Sequence, residues 1–190
     1  MPTKGDDMRD TQYEVLHYWF EELEPQQWFQ QSAQVDEAIT ERFSITYEMA
    51  ADGLSNHWAG DADGALALII VLDQFPRHMF RGSSKAFATD ERALLIAKQA
   101  IHKGFDQVLE PVKRGFLYLP FQHSEKLTDQ KKSVELFGAM ARDNPAGDMY
   151  AKRHLVPIER FGRFPHRNKI LGRESTEEEI EFLKTNGGFL

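Results

Sequence analysis

The chain has 190 residues, 41% of them hydrophobic and 28% charged, with a formal net charge of −7 and no cysteine. That balance predicts one globular domain over 1–190, with the polar first ten residues as a flexible tail, and it excludes disulfides, cysteine-ligated zinc, iron–sulfur clusters and thiol nucleophiles. The longest apolar run, 65–72, is eight residues, where a membrane helix needs about 20; with no secretory signal either, a soluble, cytoplasmic protein is expected.

Nearly every segment carries the helical period. Val15, Leu16, Trp19, Phe20 and Leu23 form one apolar face that Pro25 ends, and Val35, Ile39, Phe43, Ile45, Tyr47 and Met49 form the next. Asp61 is placed to N-cap a very apolar helix over 65–75 that Pro76 stops. A loop over 77–84 leads to a helix over 86–103, closed by Gly104. Pro111 opens an element that runs to Pro120, and a further helix is predicted from Ser124, as its N-cap, to about 142. The turn Asp143-Asn144-Pro145-Ala146-Gly147 then breaks the chain. Helices follow over 148–162 and from Ser175, where Ser175 and Glu178 have capping-box spacing. No segment alternates with period two and no 34-residue repeat shows. The expected fold class is therefore all-α, an antiparallel bundle or a stack of helical hairpins.

One internal echo stands out. Phe75-Pro76-Arg77-His78 and Phe164-Pro165-His166-Arg167 are near-permutations, each after an apolar helix and each followed by an Arg/Gly pair. The functional reading is that both bring basic turns to similar positions.

Polar residues interrupt the apolar stripes, which join positions three and four apart. Phe87, Asp90, Leu94, Ala97 and Ile101 include an Asp; His123, Leu127, Gln130, Val134 and Phe137 include a His and a Gln; Tyr150, His154, Ile158 and Phe161 include a His. Asp73 ends the most apolar helix. A buried ionic or imidazole group needs partners, and the available cations are Arg77, Arg81, Arg160, Arg163, Arg167 and Arg173. One connected Asp, His, Gln and Arg network is expected, with Pro120 and Pro157 kinking helices beside His123 and His154. Its plain alternative is a purely structural set of pins. Glu177, Glu178 and Glu179 read as a solvated face at a helix N-terminus.

Charge distribution adds to this. Residues 1–60 carry 3 Lys/Arg against 12 Asp/Glu, whereas 148–173 carry 7 against 2. One basic island in an acidic chain fits an internal counter-charge or a small-anion site, and it speaks against nucleic acid. No His-x3-His, HExxH, phosphate loop or GxGxxG occurs, so neither a metal nor a cofactor is expected.

The stretches VLDQFPRHMFRG, KAFATDERAL, FLYLPFQHSE and HLVPIERFGRFPHRNKILGRES, with the following TEEEIEFL, closely resemble the bacterial domain-of-unknown-function family 924. The resemblance spans about 15–183. It implies a tetratricopeptide-like helical fold and brings no activity with it, and no 34-residue consensus supports a ready-made peptide groove. The polar positions it marks are Asp73, Gln74, Arg77, Arg81, Asp90, His123, Ser124, Glu125, His154, Arg160, Arg163, Arg167, Asn168 and Arg173.

Three functions are weighed on these residues. The first is a binding module whose Arg, His and Asp side chains line a pocket for an anionic small molecule, a peptide carboxylate or an acidic partner segment. The second is a hydrolase or transferase using His123 or His154, with Asp90, for acid–base chemistry and the arginines as an anion clamp. The third is a scaffold whose polar network only fixes the fold. None involves a membrane, and nothing in the sequence sets an oligomeric state.

Overall fold

The structure, a computed structural model, describes residues 4–186. It is helical, with no strand among the described residues, which bears out the all-α expectation. No described helix is long and apolar enough to cross a membrane. Two compact units form: the described residues up to Arg81 with Lys85–Leu109, and Gly82–Ser84 with the described residues from Glu110 onward.

In the first unit, α1 (Lys4–His17) begins inside the stretch read as a tail, of which residues 1–3 lie outside the described residues. It continues into a π turn, Tyr18–Glu22, and Val15, Tyr18, Trp19 and Leu23 are buried. Helix α2 (Ala33–Ala51) is capped by Ser32 and buries Val35, Ile39, Phe43 and Tyr47 at strict four-residue spacing. Ile45 and Met49, which the sequence placed on that face, are exposed. Two residues of helix turn a side chain roughly 200° away from its neighbour, so neither can share the face of Phe43 and Tyr47.

Helix α3 (Ala62–Ile69) is capped as expected, with Asp61 Oδ1 accepting from the Gly64 N–H at 2.8 Å. It packs against α1 and α5 (Asp90–His102), while α2 packs against α4 (Phe75–Met79). Between α3 and α4 lies a π segment, Ile70–Gln74, so Pro76 does not stop the helix. It occupies the first turn of α4, where a missing N–H is tolerated. Helix α5 starts at Asp90 and not near 86, and Gly104 closes it at φ +73°, a left-handed position that favours glycine.

Gly64 is needed for close approach: a Cβ there would lie 2.1 Å from the Trp58 carbonyl oxygen. Gly64→Ala is expected to lower stability by about 1–3 kcal/mol, despite the better helix propensity of alanine. Urea unfolding should show a lower midpoint at unchanged m value.

The second unit holds α6 (Pro111–His123), α7 (Leu127–Ala139), α8 (Pro145–Phe161) and α9 (Glu177–Asn186), with α7 packed on both α6 and α8. Pro120 and Pro157 lie within α6 and α8. The break between α6 and α7 falls at 124–126, so Ser124 closes α6 and Lys126 is the N-cap of α7. Helix α8 starts three residues earlier than predicted, because Asn144 Oδ1 accepts from the Gly147 N–H at 2.8 Å and Pro145 fills the first turn. At α9 the capping box belongs to Thr176 and Glu179: the Glu179 N–H donates to Thr176 Oγ1 at 3.2 Å and the Thr176 N–H to Glu179 Oε2 at 2.8 Å.

Candidate functional site

The polar side chains marked in the sequence gather in two groups, one within each unit. In the first, the π segment carries Asp73 and Gln74 inward, at 0% and 4% exposure. Gln74 donates its amide to Asp73 Oδ2. One turn on, Arg77 donates to the Asp73 carbonyl and forks onto Asp90 with Nη1–Oδ1 at 2.9 Å and Nη2–Oδ2 at 3.0 Å. Its Nη1 also lies 3.4 Å from Asp73 Oδ1. Burial opposes the charge on Arg77, but the two aspartates prevail and raise its pKa.

Arg81 is taken by a residue that the sequence reading did not mark. Asp36, in the first turn of α2, accepts from Arg81 Nε and Nη2 at 2.8 Å each and lies 2.8 Å from Nδ1 of the buried His78. Burial would raise the Asp36 carboxyl, but the hydrogen bonds from Arg81 and His78 lower it. Burial, with the Arg81 charge adding to it, lowers the His78 pKa against the opposing pull of Asp36.

The second group forms a chain of ion pairs along the segment between α8 and α9. Arg173 forks onto Glu125, Nη1–Oε2 at 2.7 Å and Nη2–Oε1 at 2.9 Å, and Glu125 Oε1 also accepts the Phe164 N–H at 2.7 Å. Burial opposes ionisation of Glu125, yet the bonds from Arg173 and Phe164 hold its pKa down. The fully buried Asn168 receives Arg173 Nε on Oδ1 at 3.0 Å and donates Nδ2 to Ser175 Oγ and Glu179 Oε2. Glu179 accepts Arg163 Nε and Nη2 at 2.6 and 2.8 Å. It is 1% exposed, which corrects its reading as a solvated acid; Glu177 and Glu178 are exposed as expected.

Arg160 goes elsewhere, its guanidinium 4.8 Å over the Phe161 ring and 3.9 Å from Glu178. Ser124 donates to Asp129 at 2.9 Å. Gln130 sits at 0% exposure and donates its amide to the carbonyls of Gln122 and Ser124 at 2.7 Å each, tying α7 to the end of α6.

Beside these pairs lies a cluster of imidazoles. The His123 and His154 ring centroids are 6.4 Å apart, His154 meets the buried Phe164 edge-on at 5.7 Å, and Phe164 meets His166 at 5.4 Å. The Arg167 guanidinium stacks 4.6 Å over Phe164. His166 is pushed down to about 3, first by burial, then by the charges of Arg167, His154 and His123, with Glu125 opposing. Its Nδ1 is buried without a hydrogen-bond partner among the described residues. An orphaned buried polar atom is uncommon and calls for a cause. His166 lay in the second copy of the Phe-Pro echo, the one signal that could have pointed to it.

An open cleft of about 630 Å³ at the start of α9 is lined by Phe161, Arg163, Thr176 and Glu177, Glu178 and Glu179. It is acidic and its guanidinium already serves Glu179, so it does not suit an anion, and the histidines do not line it. Among the described residues no group of three or more His, Asp or Glu has metal-binding geometry.

Residues 15–187 match the model of a family described as bacterial protein of unknown function (DUF924). Among solved structures the chain is similar to a protein of unknown function, ATU0120, from Agrobacterium tumefaciens, at 36% identity and a TM-score of 0.89 over 94% of this chain and 99% of that one. No curated protein matches.

Proposed function

Because the chain belongs to the DUF924 family of bacterial proteins of unknown function, its role has to be read from its own side chains, and we propose a binding module that takes a small anionic ligand at the histidine cluster of the second unit. The observation that carries this is the orphaned Nδ1 of His166, on a ring that burial first, and nearby positive charge second, holds neutral. A hydrogen-bonding ligand that donates to or accepts from that ring satisfies the atom, and a negative one suits a ring on which nearby positive charge disfavours the imidazolium.

The arginine clamp expected from the sequence is a poorer candidate. Arg77, Arg81, Arg163 and Arg173 each fork onto a carboxylate of the protein, so a ligand would have to displace Asp90, Asp36, Glu179 or Glu125. These four pairs serve as structural pins, and the cluster around Phe164 is left as the place for a ligand.

Thermal unfolding in the presence of phosphate, sulfate, acetate and citrate tests the reading. A ligand at a hundred times its Kd adds about 2.7 kcal/mol, so at least one anion should raise Tm by several degrees, and His166→Phe should abolish the rise. An equal rise in His166→Phe, or no rise with any anion, rejects the site.

A further inference from the structure

Helix α2 turns outward a face that its own packing does not use. Away from the buried stripe of Val35, Ile39, Phe43 and Tyr47, the residues Glu41, Ile45, Glu48 and Asp52 follow one another at spacings of four, three and four. All are exposed, Ile45 at 72%, with the exposed Met49 beside them and Glu37 one turn earlier. Among the described residues, Glu37, Glu41, Glu48 and Asp52 have no ion pair and no side-chain hydrogen bond. The nearby cations are engaged elsewhere, Arg42 with Glu22 and Arg92 with the Ala51 carbonyl and Asn56. This row works against its own helix. Glu37 with Glu41, and Glu48 with Asp52, are like charges four apart, and the second pair stands at the C-terminus of α2, where the backbone dipole favours cations. A cationic partner relieves both strains, and an apolar centre on that partner covers Ile45.

The second unit carries the complement. Along α8, Met149, Arg153, Val156 and Arg160 repeat the spacings of four, three and four. Met149 is 40% and Val156 49% exposed. Arg160 is exposed over the Phe161 ring, and the half-buried Arg153 lies over Tyr150. Ring contacts of this kind at a surface are weak, so either guanidinium can turn to a carboxylate. Laid antiparallel with Ile45 on Val156, the two rows set Glu41 against Arg160, Glu48 against Arg153 and, to one side, Arg42 against Glu159. Laid parallel, they set Glu48 against Glu159 and Arg42 against Arg153. Equal spacing lets the rows interdigitate along one seam, as helices do in a coiled coil. Two α2 rows would meet acid on acid, so this face does not suit a copy of itself.

We propose that the chain self-associates by docking the α2 row of one copy antiparallel on the α8 row of a second copy. Ile45 and Val156 form the centre of the seam, and the Glu41–Arg160 and Glu48–Arg153 pairs flank it. Both rows stand uncovered on the single chain. The occupant is a second copy because the complement, in spacing, sign and direction, stands in this same sequence. The histidine cluster plays no part in the docking.

Sedimentation of the full chain over a range of concentrations is the test, at about 0.05 M and about 0.5 M salt, since exposed charge pairs weaken as the screening length shortens. The expected result is a mass that rises with concentration at low salt, with association weaker at high salt. Glu41→Lys and Arg160→Glu, both at exposed positions, should each weaken association about tenfold by setting like charges face to face. Combined in one chain, they should restore it to within about threefold of the unaltered protein. Ile45→Ser should weaken association about tenfold at both salt concentrations. A mass of one chain at every concentration and salt overturns the proposal, and binding of an amphipathic Leu/Lys peptide by that single chain would give the α2 face to a foreign basic helix instead. Association untouched by either charge reversal places the interface elsewhere and overturns it too. Loss in each single variant without recovery in the double variant rejects the Glu41–Arg160 pairing and with it the antiparallel docking.

Discussion

Arg77→Ala is expected to cost about 3–5 kcal/mol of folding free energy, the loss that follows when one member of a buried ion pair is removed. Asp73 is fully buried, and Arg77 is the guanidinium that reaches its carboxylate, its carbonyl and both oxygens of Asp90. Without that group, two carboxylates face each other's field in a site closed to water on the Asp73 side. Urea unfolding should show the midpoint falling steeply. The double variant Arg77→Met with Asp90→Asn should recover part of the loss, since one of the stranded charges is removed along with its partner. A loss below about 1 kcal/mol for Arg77→Ala would place the fork among ordinary surface pairs and deny it the role of pinning the π segment to α5.

Periodicity alone made the helices of this chain legible, and it did so best where the inward residues repeat at one spacing, as Val35, Ile39, Phe43 and Tyr47 do. It failed where the backbone departs from the α-period. The π turn at Ile70–Gln74 inserts an extra residue, which lets the helix pass Pro76 into α4 and swings Asp73 and Gln74 into the core. Rules that treat proline as a stop cannot see that. Competing caps were the other failure. Ser175–Glu178 and Thr176–Glu179 have the same spacing, and what selects the second is tertiary: only Glu179 can reach Arg163 and Asn168 as well. Polar residues on apolar stripes were located correctly as inward or half-inward groups. Their partners were not, because Asp36 and Glu125 each meet an arginine more than forty positions away in sequence, and no local pattern encodes such a pairing. His166 was found only by its geometry, since a lone histidine in a turn carries no period.

Glu179→Gln should be the second large loss, about 2–3 kcal/mol near neutral pH, and its pH dependence identifies the cause. The carboxylate is held down to about 2, chiefly by the fork from Arg163 and further by the Thr176 N–H and Asn168, against the opposing effect of burial. A carboxylate with a depressed folded pKa binds fewer protons in the folded than in the unfolded chain, so its contribution is complete above the unfolded value near 4.5 and is lost as pH falls toward about 2. Unfolding measured across that window should therefore show a stability that declines with acid in the unaltered chain and a shallower decline in Glu179→Gln, the two curves converging at the acid end. Curves that stay parallel would mean that the loss comes from shape and not from charge. Glu178→Gln provides the contrast: Glu178 is exposed and 3.9 Å from Arg160, so its replacement should change stability by no more than about 0.5 kcal/mol. A deep loss at Glu179 beside a negligible one at Glu178 would show that the α9 terminus is held by the single acid facing inward, with Asn168 coupling it to the Arg173–Glu125 pair beside the histidine cluster.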